Sequence, residues 1–359
     1  DIDLNTSKQA RFYGIPLHKK GYYKERLKED GPLANTLTFL RSTMNFKLDF
    51  GAEGGDALAS YSKNAWQETI AAAERHNDPG RFTTFVAYEW SAMPEQRNLH
   101  RNVIYRGADA PAVPYSSLSS NDPRDLWAAL EFQREQGMDN FAIPHNGNVS
   151  DGRMYDALTY DGGAMDAQYA ERRIQNEPIS EIFQVKGSSE THPVLSPNDQ
   201  FASFEIYDTQ LSKDFAYSKP KGSYIRDALR LGIEMGHSER FNPYRFGVIG
   251  SSDGHNASSA VEEDNYHGKL PLLDGSAGVR MRESLFMPEE SPGGIRWSAA
   301  GLAAVWAEEN TRGALFDAMR RKETYATSGP RIRVRFYGGW GYSDNLTSQS
   351  NWTELASAS

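Results

Sequence analysis

The 359-residue chain contains no cysteine. Disulfides, thiolate metal sites and cysteine nucleophiles are therefore excluded, and any transition-metal chemistry has only His, Asp and Glu to draw on. Long apolar runs are also missing, since none approaches the roughly 18 residues that a membrane-spanning helix requires. There is no cationic excess: 48 Asp and Glu outweigh 39 Lys and Arg, for a formal charge of −9. Without a basic run, delocalised binding to nucleic acid or to an anionic lipid surface is not expected. The sequence also lacks a Walker loop, a dinucleotide glycine fingerprint and a His-Glu-x-x-His helix. P-loop NTPases and zincins are set aside on that ground.

What is present is ordinary globular composition, with 38% hydrophobic and 24% charged residues, and enough length for one large domain or two modest ones. Residue 1 is Asp and no signal-peptide pattern follows it, so the chain reads as processed or incomplete. From Gly338 to Ser359 a Gly, Ser, Asn and Thr mixture reads as a linker or tail, leaving 1–337 as the expected α/β domain.

Helix and strand signals alternate through that domain. Trp66, Ile70 and Ala73 have helical spacing and stop at Asn77-Asp78-Pro79-Gly80, after which Phe82 to Tyr88 reads as a buried strand. Asn102 to Tyr105, Phe141 to Ile143, Ile182 to Val185, Phe246 to Gly250 and Ile332 to Tyr337 read as further short strands. Helices are expected through Leu126, Trp127 and Leu130, through Tyr224, Ala228 and Leu231, and from Thr311 to Arg321.

Glu89, His145 and the Asp253/His255 pair each lie just after an apolar strand. In barrels of parallel strands such positions converge on one mouth, and these residue types hold Zn, Mn or Fe. In Asp253-Gly254-His255 both side chains of an extended segment face the same way, although an Asp in a turn and a surface His would look alike. His100 precedes the next strand and can return to the same mouth. His192 suits a ligand, a proton shuttle or a loop-ordering hydrogen bond. Arg101, Lys186 and Arg331 are candidates for an anionic oxygen, or plain surface charges.

The segments Val86 to Trp90, Asn98 to Val103, Ile143 to Asn148, Gln184 to Pro193, Gly250 to His255, Trp306 to Arg312 and Glu323 to Pro330 together resemble the bacterial DUF3604 family. The resemblance runs from about Gln9 to Gly339. That family is similar to the polymerase-and-histidinol-phosphatase (PHP) superfamily, which implies a distorted, TIM-like β/α barrel holding divalent metals and hydrolysing phosphoesters. Carried over, it implies Glu89 as a bridging ligand, His100 and His145 as imidazole ligands, and Asp253 with His255 as the last ligand pair. It implies His192 and Arg331 as catalytic residues, Arg331 meeting an anionic substrate. PHP-like enzymes also carry an early His-x-His strand and an Asp-His pair. The chain begins too late for the first, and Ser7 to Gly14 offers Lys8 and Gln9 in place of the second.

The expectation is therefore a PHP-like barrel incomplete at its N-terminus, with one or two Zn, Mn or Fe ions per chain. Its chemistry would be metal-dependent hydrolysis of a small anionic phosphoester or related ester. A noncatalytic, degenerate PHP-like binding or structural domain is the alternative. The resemblance leans towards a periplasmic or extracellular compartment, and the oligomeric state is not set by the sequence.

Overall fold

In a computed structural model of the chain, residues 55–212, 216–255, 269 and 296–358 are described. The expected Ser7 to Gly14 segment, with Lys8 and Gln9, lies outside them. Two compact units result, one ending at Gly329 and one covering Pro330–Ser359.

The first unit begins with α1 (Gly55–His76), which buries Trp66 and packs Ile70 and Ala73 on the core. The strands β1 (Val86–Trp90) and β2 (Arg101–Tyr105) follow, then α2 (Pro123–Glu135) and β3 (Asn140–Pro144). Asp122 caps α2 by accepting from Arg124 N at 2.9 Å, and proline occupies the first turn, where its missing N–H costs nothing. Next come α3 (Ala167–Asn176), β4 (Ile179–Gln184), β5 (Gly187–Ser188), α4 (Ile225–Ser238) and β6 (Gly247–Gly250). β7 (Leu302–Val305), α5 (Arg312–Arg320) and β8 (Thr324–Thr327) complete the unit. The expected strands and helices within 66–327 appear with boundaries shifted by a few residues, while α3 and β7 had no clear sequence signal.

The TIM-like barrel expected from the resemblance is not what these strands build. Among the described residues they form three small sheets, β1-β2-β3, β5-β4-β6 and β7-β8, and no closed barrel. Both neighbours of β2 run antiparallel to it, and β4 with β6 is the only parallel pair in these sheets. The physical reason is partly connection length. Only residues 91–100 separate β1 from β2, and a parallel return needs a crossover of about a dozen residues or more. The Ile332 to Tyr337 segment, expected as a strand, pairs with no described strand.

Side-chain alternation divides the first sheet between two cores. Val86, Trp90, Val103, Tyr105 and Ala142 face the larger cluster with Trp66, Leu126 and Leu130. Ile104, Phe141 and Ile143 face a second cluster with Ile179, Ile249, Phe316 and Met319. In the second unit, Trp352 at the start of α6 (Trp352–Ala358) meets Tyr337 with ring centroids 5.7 Å apart. No helix among the described residues is long and apolar enough to cross a membrane.

Arg101, considered above as an anion binder, is instead a structural ion. It is buried, with Nε 3.0 Å from Glu177 Oε1, and Trp127 donates to the same oxygen at 2.9 Å. Arg173 approaches the other carboxylate oxygen at 3.3 Å. Burial disfavours the Glu177 charge, yet the two guanidiniums outweigh it and hold the carboxyl below its ordinary value. Glu177→Ala would strand two buried cations, and we expect a loss of about 3–5 kcal/mol in urea unfolding. A loss under about 1 kcal/mol would contradict this account.

Candidate functional site

Antiparallel register assembles the site. Arg101 pairs with both Trp90 and Pro144, so the end of β1, the start of β2 and the end of β3 share one edge. One step beyond, His145 N donates to His100 O at 3.3 Å, extending the ladder so that the two histidines stand opposite each other. Glu89 pairs with Asn102, two rows away, and period-two alternation puts its side chain on the same face as both imidazoles. That face is the one that carries Ile104, Phe141 and Ile143, so the polar cluster sits at the rim of the second core.

The side chains meet at one atom. Glu89 Oε1 lies 2.9 Å from His100 Nδ1 and 2.8 Å from His145 Nε2. The imidazole rings stand edge to face, with centroids 5.6 Å apart. Burial alone would raise the Glu89 pKa, but the hydrogen bonds and charges of His100 and His145 outweigh it and hold the carboxyl well below the usual carboxylate range. His100 is pushed down, chiefly by burial, against the opposing pull of Glu89.

One carboxylate oxygen and two imidazole nitrogens, all within 4.8 Å of one another, form the one group of potential metal donors found among the described residues. A tetrahedral zinc places its ligand atoms about 3.3–3.5 Å apart, so each imidazole needs to withdraw from Glu89 Oε1 by only about half an ångström to admit an ion. Three protein donors leave a fourth position open, the pattern of a catalytic rather than a structural site. One feature departs from a mature centre. A ligating imidazole ordinarily donates its second N–H to a carbonyl or carboxylate, whereas His100 Nε2 and His145 Nδ1 are buried without a hydrogen-bond partner.

Asp253 and His255 are not brought into this cluster. Asp253, in the left-handed region at φ 52°, follows the β6 end, and its Oδ2 accepts from Lys186, from Lys269 at 2.6 Å and from Gln184 at 2.9 Å. His255 Nδ1 lies 2.8 Å from the Asp253 carbonyl and 3.6 Å from Asp253 Oδ1. Gln184 also donates to Asn146 Oδ1 at 2.8 Å, which links Asp253 to the residue beside His145. Lys186 is pushed well below its ordinary pKa, first by burial and then by Lys269 beside it. His255 is lowered to about 4 by burial and by both lysines.

The other candidates are not among the three donors. His192 packs on Tyr224 with centroids 5.5 Å apart, accepts from Val194 N at 3.2 Å and has Nε2 3.9 Å from Asp208. Arg331 is exposed and belongs to the second unit. Lys269, Gln184 and Glu181 were not singled out from the sequence. Only Glu181 gave a local signal, as a charged residue inside an otherwise uncharged strand.

The chain matches the family described as Protein of unknown function (DUF3604) over residues 22–359, and it belongs to that family. No curated protein and no solved structure matches it.

The His255 shift has a definite sign. With its pKa near 6.5 when unfolded and about 4 when folded, the unfolded chain binds the extra proton between those values. His255 therefore imposes no penalty above about pH 6.5, and stability falls as pH drops towards 4. In chelator-treated protein, His255→Gln is expected to flatten that part of the urea-unfolding profile. An unchanged slope would contradict the assignment.

Proposed function

We propose that this protein is a metal-dependent hydrolase of small phosphoester or related anionic ester substrates, with Glu89, His100 and His145 holding a divalent ion. The observation that carries this reading is the convergence of two imidazoles on Glu89 Oε1 at 2.8 and 2.9 Å. The substrate class rests on the resemblance of the motifs to PHP phosphoesterases drawn from the sequence, without the barrel. The same resemblance supports a periplasmic or extracellular setting.

A divalent ion supplies Lewis acidity and brings the pKa of a bound water towards neutrality. The chain's own part begins with Glu89, which stays ionised across the physiological range and provides the negative donor. His100, with its pKa lowered, is neutral near pH 7 and presents a lone pair rather than a charge. The β1-β2-β3 ladder fixes the three donors on rigid strands, limiting the rearrangement needed on loading.

Zn- or Mn-loaded protein is expected to hydrolyse a phosphomonoester or phosphodiester, and chelation to abolish the activity. Glu89→Gln should remove the bound metal and lower kcat/KM by more than the roughly 10- to 100-fold typical of losing a hydrogen-bond partner of a ligand. Well under one metal equivalent in folded wild type, with no Glu89-dependent turnover, would favour a noncatalytic domain.

A further inference from the structure

The surroundings of Asp253 differ from those of a metal ligand. Its Oδ2 already accepts from the amino groups of Lys186 and Lys269 and from the Gln184 amide. An ion on the remaining oxygen, Oδ1, would sit beside the lysine amino groups already gathered on Oδ2, a repulsion that disfavours it when they are protonated. Both lysines are buried, as is the Glu181 carboxylate, one oxygen of which accepts from Ser251 while the other has no hydrogen-bond partner. Glu181 and Glu89 both act electrostatically on Lys186, and Lys186 acts on His100, so these charges share one neighbourhood.

Charge counting shows what this neighbourhood accepts. The carboxylates of Glu89, Glu181 and Asp253 face two ammoniums, leaving one negative charge when the imidazoles are neutral and both lysines are protonated. One divalent ion at Glu89 reverses that to one positive charge, which an anion can meet. A second ion would leave three positive charges in a partly buried site, a costly excess. The lysine pair, when protonated, thus supplies positive charge that a second ion would otherwise supply. A protonated lysine has three N–H donors, so the anchoring of Lys186 on Asp253 is compatible with binding a further oxygen.

We propose that Lys186 and Lys269 form an anion-receiving subsite beside a single-ion centre, taking the oxygens of a tetrahedral group such as phosphate, with Asp253 as their anchor rather than a ligand of a second ion. The single-ion count rests on the reading of Glu89, His100 and His145 as ligands, and the lysine subsite does not.

Metal content after zinc loading and dialysis, together with calorimetric titration of inorganic phosphate, tests both parts. Wild type and Asp253→Asn are expected to retain one zinc each, and Glu89→Gln none. Lys186→Met and Lys269→Met should keep the zinc yet bind phosphate about tenfold or more weakly, as expected for loss of a charge-assisted hydrogen bond. Lys186→Arg should recover part of that affinity, and melting curves identify any variant that fails to fold. In chelator-treated protein the two methionine variants should still bind phosphate more weakly than wild type. A wild type that holds no zinc but keeps this lysine dependence would defeat the metal reading and leave the subsite standing. A second zinc lost in Asp253→Asn, or equal phosphate affinity in wild type and both methionine variants, would overturn the proposal.

Discussion

Two imidazoles sharing one carboxylate oxygen is the constraint on which the site depends. Glu89 can serve both His100 and His145 only because the end of β1, the start of β2 and the end of β3 fall on one edge in register. A slip of one residue in either pairing would turn a side chain to the opposite face. Register is in turn fixed by burial on both sides of the sheet, with Trp90, Val103 and Tyr105 in one core and Ile104, Phe141 and Ile143 in the other. The apolar packing and the polar cluster are therefore one design: the cores hold the strands in place, and the strands bring the donors together.

Electrostatics extends outward from that centre. The Gln184 amide joins Asn146 to Asp253, and Asp253 gathers Lys186 and Lys269, so a negative cluster and a positive pair sit side by side. Elsewhere the same chain uses buried charge structurally. Glu177 forms ion pairs with Arg101 and Arg173 behind the sheet, on the opposite face from the imidazoles. Arg101 thus follows His100 in sequence while belonging to a different network, as alternation along a strand requires.

Much of this was legible in the sequence, for identifiable reasons. Glu89, His100 and His145 stood out because polar residues follow or precede short apolar strands, and the structure places all three together. The sequence pattern suggests convergence at a parallel barrel's mouth, whereas an antiparallel sheet achieves it, residues 91–100 being too few for a crossover between β1 and β2. Strand ends are visible in a sequence; strand direction is not. The lysine pair shows a second limit. Lys186 was a candidate for an anionic oxygen, but Lys269 lies 16 residues beyond Asp253 in a stretch without periodic signal, and only tertiary contact reveals the two sharing one oxygen.

The most direct measurement of the central claim is an anomalous difference map from crystals of the zinc-loaded protein. The account predicts one strong peak in coordination contact with Glu89 Oε1, His100 Nδ1 and His145 Nε2. A peak coordinated by Asp253 and His255 in its place, or none at the imidazole pair in crystals shown to contain zinc, would contradict it.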